Sequence, residues 1–155
     1  MRPRTRSLAF TLSLLVAGVL FGVSFRTIDT RLGIPPLLTY PGDLSGLILI
    51  AVGAWLRSWG GTVFYGKNPS MVSFKAPPTL VTAGPWKYSR NPLYLGLILI
   101  GLGFSLLFAS TSDLLFTLVG AVLVHLEVVI NEEKILSQKF GTEYAAYKKQ
   151  VRRWI

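Results

Sequence analysis

Residues 92–108 read PLYLGLILIGLGFSLLF and residues 114–130 read LLFTLVGAVLVHLEVVI, with only ASTSD between them. The single ionised side chain in either run is Glu127, which with His125 lies near the end of the second. A helix rises 1.5 Å per residue, so about 20 residues cross a hydrocarbon core of about 30 Å, and each run comes near that length. In such a core every backbone polar group must be paired within its own segment, so both runs are read as helices. Ser110, Thr111, Ser112 and Asp113 are turn and N-cap residues, which makes the pair a tight hairpin. Asn91 is placed to cap the first helix and Pro92 suits its first position. Gly96, Gly101 and Gly103 lie along it as sites of close helix–helix packing.

Working outward, residues 8–25 form another apolar run without charge, and residues 44–64 a further one broken by Arg57. The expectation is an all-α polytopic membrane protein with about four transmembrane helices, near 8–25, 44–64, 92–108 and 114–130. One unit of 155 residues accommodates them as a single domain, 1–155. Composition agrees: 51% of residues are hydrophobic, 15% are charged and the mean hydropathy is +0.51, against about 25% charged in soluble domains. Arg2, Arg4 and Arg6 ahead of the first run resemble the start of a signal peptide. The run is longer than a signal core and ends at no small-x-small site, so the helix is read as retained.

The net charge is +9. Basic residues flanking apolar spans face lipid headgroups, and this reading is preferred over nucleic-acid binding. Arg2, Arg4 and Arg6 precede the first span. Lys67, Lys75, Lys87 and Arg90 lie in the 65–91 loop. Lys134, Lys139, Lys148, Lys149, Arg152 and Arg153 lie in the tail. The two other connections hold only Arg26 and Arg31. The positive-inside rule then puts both termini and the middle loop in the cytoplasm, in a plasma or inner membrane. The chain has no cysteine, which excludes disulfides, thiolate metal sites and cysteine nucleophiles. Its single histidine, His125, speaks against a metal centre.

Beyond Ile130 the chain becomes charged but keeps a helical rhythm. Ile135, Leu136, Phe140, Tyr144, Tyr147 and Val151 form an apolar stripe, so 131–151 is read as an amphipathic helix folded onto the membrane surface and kinked at Gly141. The loop 65–91 is rich in aromatic, basic and rigid residues. That suits an interfacial belt and a functional loop equally. Glu132 and Glu133 stand where unpaired carboxylates are costly; they are either ordinary helix-end groups paired with Lys134 or Arg90, or a site for a cationic ligand. On a straight helix Glu132 shares a face with His125, and Glu127 with Asn131. Arg57 and Glu127 are charges inside spans and therefore functional candidates, although either can snorkel or pair.

Residues 80–96, LVTAGPWKYSRNPLYLG, resemble the signature of the isoprenylcysteine carboxyl methyltransferase and phospholipid N-methyltransferase superfamily. So do Glu132-Glu133-Lys134-Ile135-Leu136, the later Phe140-Gly141-Thr142-Glu143-Tyr144 with Tyr147, and the closing Val151-Arg152-Arg153-Trp154. The resemblance covers about half the chain, from near Gly60 to the end. It implies a membrane methyltransferase that uses S-adenosyl-L-methionine. It also implies a cofactor pocket built by Arg90, Asn91, Pro92 and Tyr94 with Glu132 and Glu133. Gly61 and Thr62, after Gly60, resemble a glycine-containing cofactor motif of the phospholipid branch. Asn91 stands where the eukaryotic carboxyl methyltransferases have histidine.

The residue chemistry suits that cofactor on separate grounds. Arg90 can bind its carboxylate with a bidentate fork, and Glu132 or Glu133 can pair with its ammonium. Tyr88, Trp86 or Tyr94 can face its sulfonium or stack on its adenine. Arg90 and Glu133 are the expected catalytic pair, with Glu133 or His125 as the base where the acceptor must lose a proton; for His125 a packed or interfacial role is the simpler reading. The expected substrate is a lipophilic small molecule entering from the bilayer, with carboxyl O-methylation the first reading. Phospholipid-amine N-methylation or thiol S-methylation, and a non-enzymatic scaffold, are the alternatives.

Overall fold

The structure is a computed structural model and describes residues 2–68 and 77–155. The part of the middle loop from Pro69 to Ala76, Lys75 included, lies outside the described residues. All regular structure in the described residues is helical: α1 (Pro3–Arg31), α2 (Ser45–Lys67), α3 (Pro92–Leu107), α4 (Thr111–Leu123) and α5 (Ile130–Gln150). A π-helical turn, Val124–Val129, joins α4 to α5 without a break, and short 3-10 turns stand at Gly42–Leu44 and Gly84–Lys87. Three stretches, Pro3–Arg31, Gly42–Lys67 and Thr111–Gln150, are long and apolar enough to cross a membrane, and Pro92–Leu107 is a shorter apolar helix. The four expected spans are therefore all helices. α1 runs past its apolar run at both ends, and near its C-terminal end Thr27 and Thr30 turn their hydroxyls back to Val23 O and Arg26 O, one turn earlier.

Helices α2 and α3 pack most closely. A Cβ added at Gly53 would come within 2.7 Å of Gly96 O, and one at Gly103 within 2.7 Å of Gly46 O. Gly46, Gly53 and Gly60 recur every seventh residue on α2; Gly103 and Gly96 on α3 answer the first two, so backbone meets backbone there, and Gly60 lies against the side chains of Leu93, Pro85 and Trp86. Gly101 serves α4 instead, facing Thr117. α1 seats phenyl rings in its small positions: Phe104 lies against Gly18 and Phe108 against Gly22.

The large apolar side chains on the outer faces are exposed, among them Leu12, Val16 and Leu20 on α1, Ile48 on α2, and Val119 and Val122 on α4. An apolar belt around helices that already satisfy their own backbone is the surface of a protein solvated by lipid. The chain is a membrane protein.

The buried cluster sits at one end, called here the loop end. Leu80, Val81 and Trp86 from the middle segment meet Tyr144, Tyr147 and Val151 from α5 and beyond, with Leu136 and Phe140 packed against them. The stripe on α5 is thus covered by the protein's own middle segment rather than by the membrane surface; only Ile135 of the stripe is classed as exposed. Gly141 breaks α5 as expected, at φ 49° and ψ −116°, which glycine adopts without penalty.

At the opposite, hairpin end, Ser110 Oγ caps α4 by accepting from Asp113 N at 3.1 Å. Ser110 Oγ also donates to Asp29 Oδ2 at 2.7 Å, and Ser112 binds the same carboxylate through its amide at 3.3 Å and through its hydroxyl. Asp29, fully buried, therefore ties the end of α1 to the hairpin.

Candidate functional site

The loop end brings the two sequence motifs together. Pro85 and Trp86 are buried in the 3-10 turn, and Tyr147 Oη donates to Trp86 O at 2.7 Å. The chain after α5 then runs back along the start of α3. Arg90 N donates to Arg152 O at 3.0 Å, and Asn91 Nδ2 to Arg153 O at 3.1 Å. Asn91 is buried and stands at the N-cap position of α3, but its side chain makes no capping bond there. The expected cap is instead a clamp on the C-terminal segment: the Asn91 side chain is turned to Arg153 O, while its backbone N–H donates to Ser89 Oγ at 3.1 Å. Pro92 is fully buried at the first turn.

This clamp sets the charges. Arg153 grips Glu133 with a fork, Nε to Oε1 at 3.1 Å and Nη2 to Oε2 at 2.9 Å. Arg90 Nη2 lies 3.3 Å from Glu133 Oε1, and both of those side chains are nearly fully buried. The bond to Glu133 is the main reason the Arg153 guanidinium is raised above its ordinary value. Two guanidiniums on one carboxylate leave the group with a net positive charge. Arg90 Nε and Nη1 are buried and meet no hydrogen-bond partner among the described residues.

Glu132, the next residue, turns elsewhere. Its Oε1 accepts from Tyr94 Oη at 2.7 Å. The two ion pairs among the described residues both involve Glu133, so no described cation lies within 4.0 Å of Glu132. The loop end therefore holds a cationic group with spare donors next in sequence to a carboxylate with no cation.

The other expected residues fall in different places. Tyr88 is 72% exposed. Trp86 is packed in the core, stacked on Phe64 with centroids 6.0 Å apart. Gly61 lies against Ser7 of α1, and Thr62 Oγ1 bonds Ser58 O of its own helix at 2.8 Å. Arg57 donates to Leu93 O at 3.1 Å and lies over the Phe10 ring, its Nε buried without a partner among the described residues. His125 lies 5.8 Å from the Trp154 ring. The π turn widens the helix between His125 and Glu132, so the shared face expected of a straight α-helix is lost and the two meet different neighbours. The Asn131 amide bonds Glu127 O at 2.6 Å, one turn back, not the Glu127 carboxylate. Lys134 makes no ion pair with Glu132 or Glu133, the local pairing weighed from sequence; Arg90 does, with Glu133.

Arg153 was not singled out from sequence as a site residue. Its only signal there was its place in the closing Val151-Arg152-Arg153-Trp154 run. Among the described residues no three His, Cys, Asp or Glu side chains gather as metal ligands would.

A helical membrane bundle with a buried, charge-lined site at one end is the class this architecture defines. A family model for phospholipid methyltransferases matches residues 43–143, well over half the chain, and the chain belongs to that family. It is also 35% identical over 63 residues, 41% of its own length, to an uncharacterized protein of Haemophilus influenzae, whose whole length it covers. Family membership makes it a membrane methyltransferase by kind.

Proposed function

We propose that the protein is an S-adenosyl-L-methionine-dependent methyltransferase acting on the head of a membrane-embedded lipophilic substrate, with the cofactor at the loop end. The observation that carries this reading is the charge arrangement: buried donors of Arg90 without partners, and a Glu132 carboxylate without a cation. The amino-acid part of the cofactor has the complementary pair, a carboxylate and an ammonium. The residues fit it on that ground.

When bound, the cofactor supplies a methyl group on a sulfonium. Arg90 holds its carboxylate through the spare Nε and Nη1. Glu132 takes its ammonium, oriented by Tyr94. Glu133 holds the Arg90 guanidinium in place, and Arg153 braces Glu133. Asn91 and Pro92 fix the first turn of α3 and with it the aim of Tyr94. Tyr88, exposed two residues before Arg90, is placed to close over the site, whereas Gly61 and Thr62, turned to Ser7 and to their own helix, take no part in it. Transfer of a methyl group is an in-line displacement, so alignment and exclusion of water carry most of the rate.

The family match favours a lipid amine as acceptor over the carboxyl first read from the sequence. The charge bias of the loops supports a cytoplasmic loop end, which would admit the cofactor from that side while the lipid enters from the bilayer.

Calorimetry with S-adenosylhomocysteine on detergent-purified protein tests the site. Saturable binding, lost in Arg90→Ala and weakened at least tenfold in Glu132→Gln, is the expected result. No binding by protein that still melts cooperatively would overturn it and leave the scaffold reading. A panel of lipid amine, carboxyl and thiol acceptors then separates the three reactions.

A further inference from the structure

A second feature lies between the helices, reaching from the hairpin end toward the loop end. A cavity of about 250 Å³ opens between α1, α3 and α4, lined by Gly18, Phe21, Gly101, Phe104, Thr117 and Gly120 among others. Its lining is apolar except for Thr117 and one carboxylate, Asp113. Asp113 is 4% exposed; the Ser105 hydroxyl supports its side chain, but its Oδ2 is buried without a hydrogen-bond partner among the described residues. No described Lys or Arg lies within 4.0 Å of it, since both ion pairs present involve Glu133.

The neighbouring carboxylate makes the contrast. Asp29 is equally buried, but Ser110 and Ser112 satisfy it. Asp29 is close enough to act on Asp113 electrostatically, which makes a second unpaired negative charge there costlier still. An ionised carboxylate facing an apolar cavity is costly unless it takes up a proton or meets a cation. A cationic donor serves best, because it supplies a hydrogen bond and opposite charge at once.

Shape narrows the occupant. The cavity runs along α4 from Asp113 to Val124, about 16 Å at 1.5 Å per residue. Its volume falls below the roughly 300–1,000 Å³ of sites for drug-sized ligands. Long, narrow and apolar, it suits one alkyl chain and not two. Asp113 stands in the first turn of α4, at the boundary end of the span, where the head of an amphiphile would lie. We propose that this groove binds a single-chain cationic amphiphile, a long-chain primary amine, with its ammonium on Asp113 and its chain between α1, α3 and α4.

The test is equilibrium dialysis of dodecylamine, dodecanol and lauric acid against the protein in neutral maltoside micelles. Two variants serve. Asp113→Asn removes the charge. Gly120→Leu fills the groove, and a Cβ placed at Gly120 meets no atom within 4 Å, so the fold has room for it. Thermal unfolding establishes that each variant is folded.

The expected result is saturable binding of one dodecylamine per chain. Dodecanol and lauric acid bind at least tenfold more weakly. Asp113→Asn weakens the amine at least tenfold, and Gly120→Leu abolishes it. Equal binding of all three probes would overturn the proposal, because the groove would then accept any chain regardless of its head. Unchanged amine binding in Asp113→Asn would overturn it as well, as would unchanged binding in folded Gly120→Leu. Should Gly120→Leu not fold, the three probes and Asp113→Asn decide alone.

Discussion

Glu133 sits between two guanidiniums of unequal standing. Arg90 is buried with it, whereas the Arg153 side chain is 39% exposed. Removing Arg153 leaves Glu133 still paired, and a half-exposed partner contributes little. Arg153→Ala is expected to cost about 1 kcal/mol of stability. Removing the charge of Glu133 leaves a buried Arg90 without its counter-ion, and Glu133→Gln is expected to cost about 3 kcal/mol. Thermal or denaturant unfolding in detergent checks both. Equal losses would mean that Arg153, not Arg90, is the partner that matters. Tyr94→Phe is a finer change: it takes one hydrogen bond from Glu132 and leaves the ring. On the proposed function it should weaken S-adenosylhomocysteine binding about tenfold, from roughly 1.4 kcal/mol for a bond to a charged group, with the melting curve little moved. The charges themselves were legible in the sequence, since Arg90, Glu132 and Glu133 are costly at a membrane boundary. A pairing with Arg90 was one of the readings open there, but which glutamate takes it, and the part of Arg153, were not legible. Which glutamate faces which arginine depends on where the C-terminal segment returns, and Arg153 arrives because the Ser89 hydroxyl, the Arg90 backbone N–H and the Asn91 side-chain amide all donate to the carbonyls of residues 152 and 153, which no local pattern announces.

At the scale of elements, the helices themselves were readable, because an apolar run near 20 residues in lipid has no alternative to helix. Less readable was how they meet. The sevenfold spacing of Gly46, Gly53 and Gly60 is visible in the sequence, yet its meaning needs the partner glycines on α3. With Gly96 O 2.7 Å from a Cβ at Gly53 and no side chain there to yield, Gly53→Val must push the two backbones apart. The expected cost is about 3 kcal/mol or more, with Gly120→Ala as a control near zero. Comparable melting of the two variants would deny the close approach. The hairpin turn offers a change of opposite sign. Ala109 holds φ at 48°, while Ala109 N bonds Leu106 O and Ser110 N bonds Ser105 O, each at 2.9 Å. Glycine is the usual residue at such a helix end. Ala109→Gly should therefore stabilise by up to about 1 kcal/mol, read as a higher melting temperature. The π turn at Val124–Val129 was the element least accessible to pattern, because a reading at 3.6 residues per turn cannot show an added residue.

For the whole molecule, the buried core at the loop end and the apolar belt along the helices make the two ends unlike. The loop end gathers the N-terminal arginines, the middle segment and the tail, and the hairpin end holds Arg26 and Arg31 with Asp29, Asp43 and Asp113. That asymmetry was countable from the sequence alone, and it supports one orientation over its mirror. The absence of cysteine makes the orientation directly measurable, since any introduced thiol is the only one in the chain. Tyr88 at the loop end is 72% exposed and Tyr40 in the connection at the hairpin end is 78% exposed, so Tyr88→Cys and Tyr40→Cys each present a reactive group without disturbing a buried contact. A membrane-impermeant maleimide applied to intact cells should label Tyr40→Cys and leave Tyr88→Cys unlabelled until the membrane is opened. The reverse pattern would put Arg90, Glu132 and Glu133 outside the cell, away from any cytoplasmic cofactor, and would refute the proposed methyl transfer along with the orientation. Labelling of both positions in intact cells would mean a mixed insertion, in which a lysine and arginine bias of this size fails to choose a side.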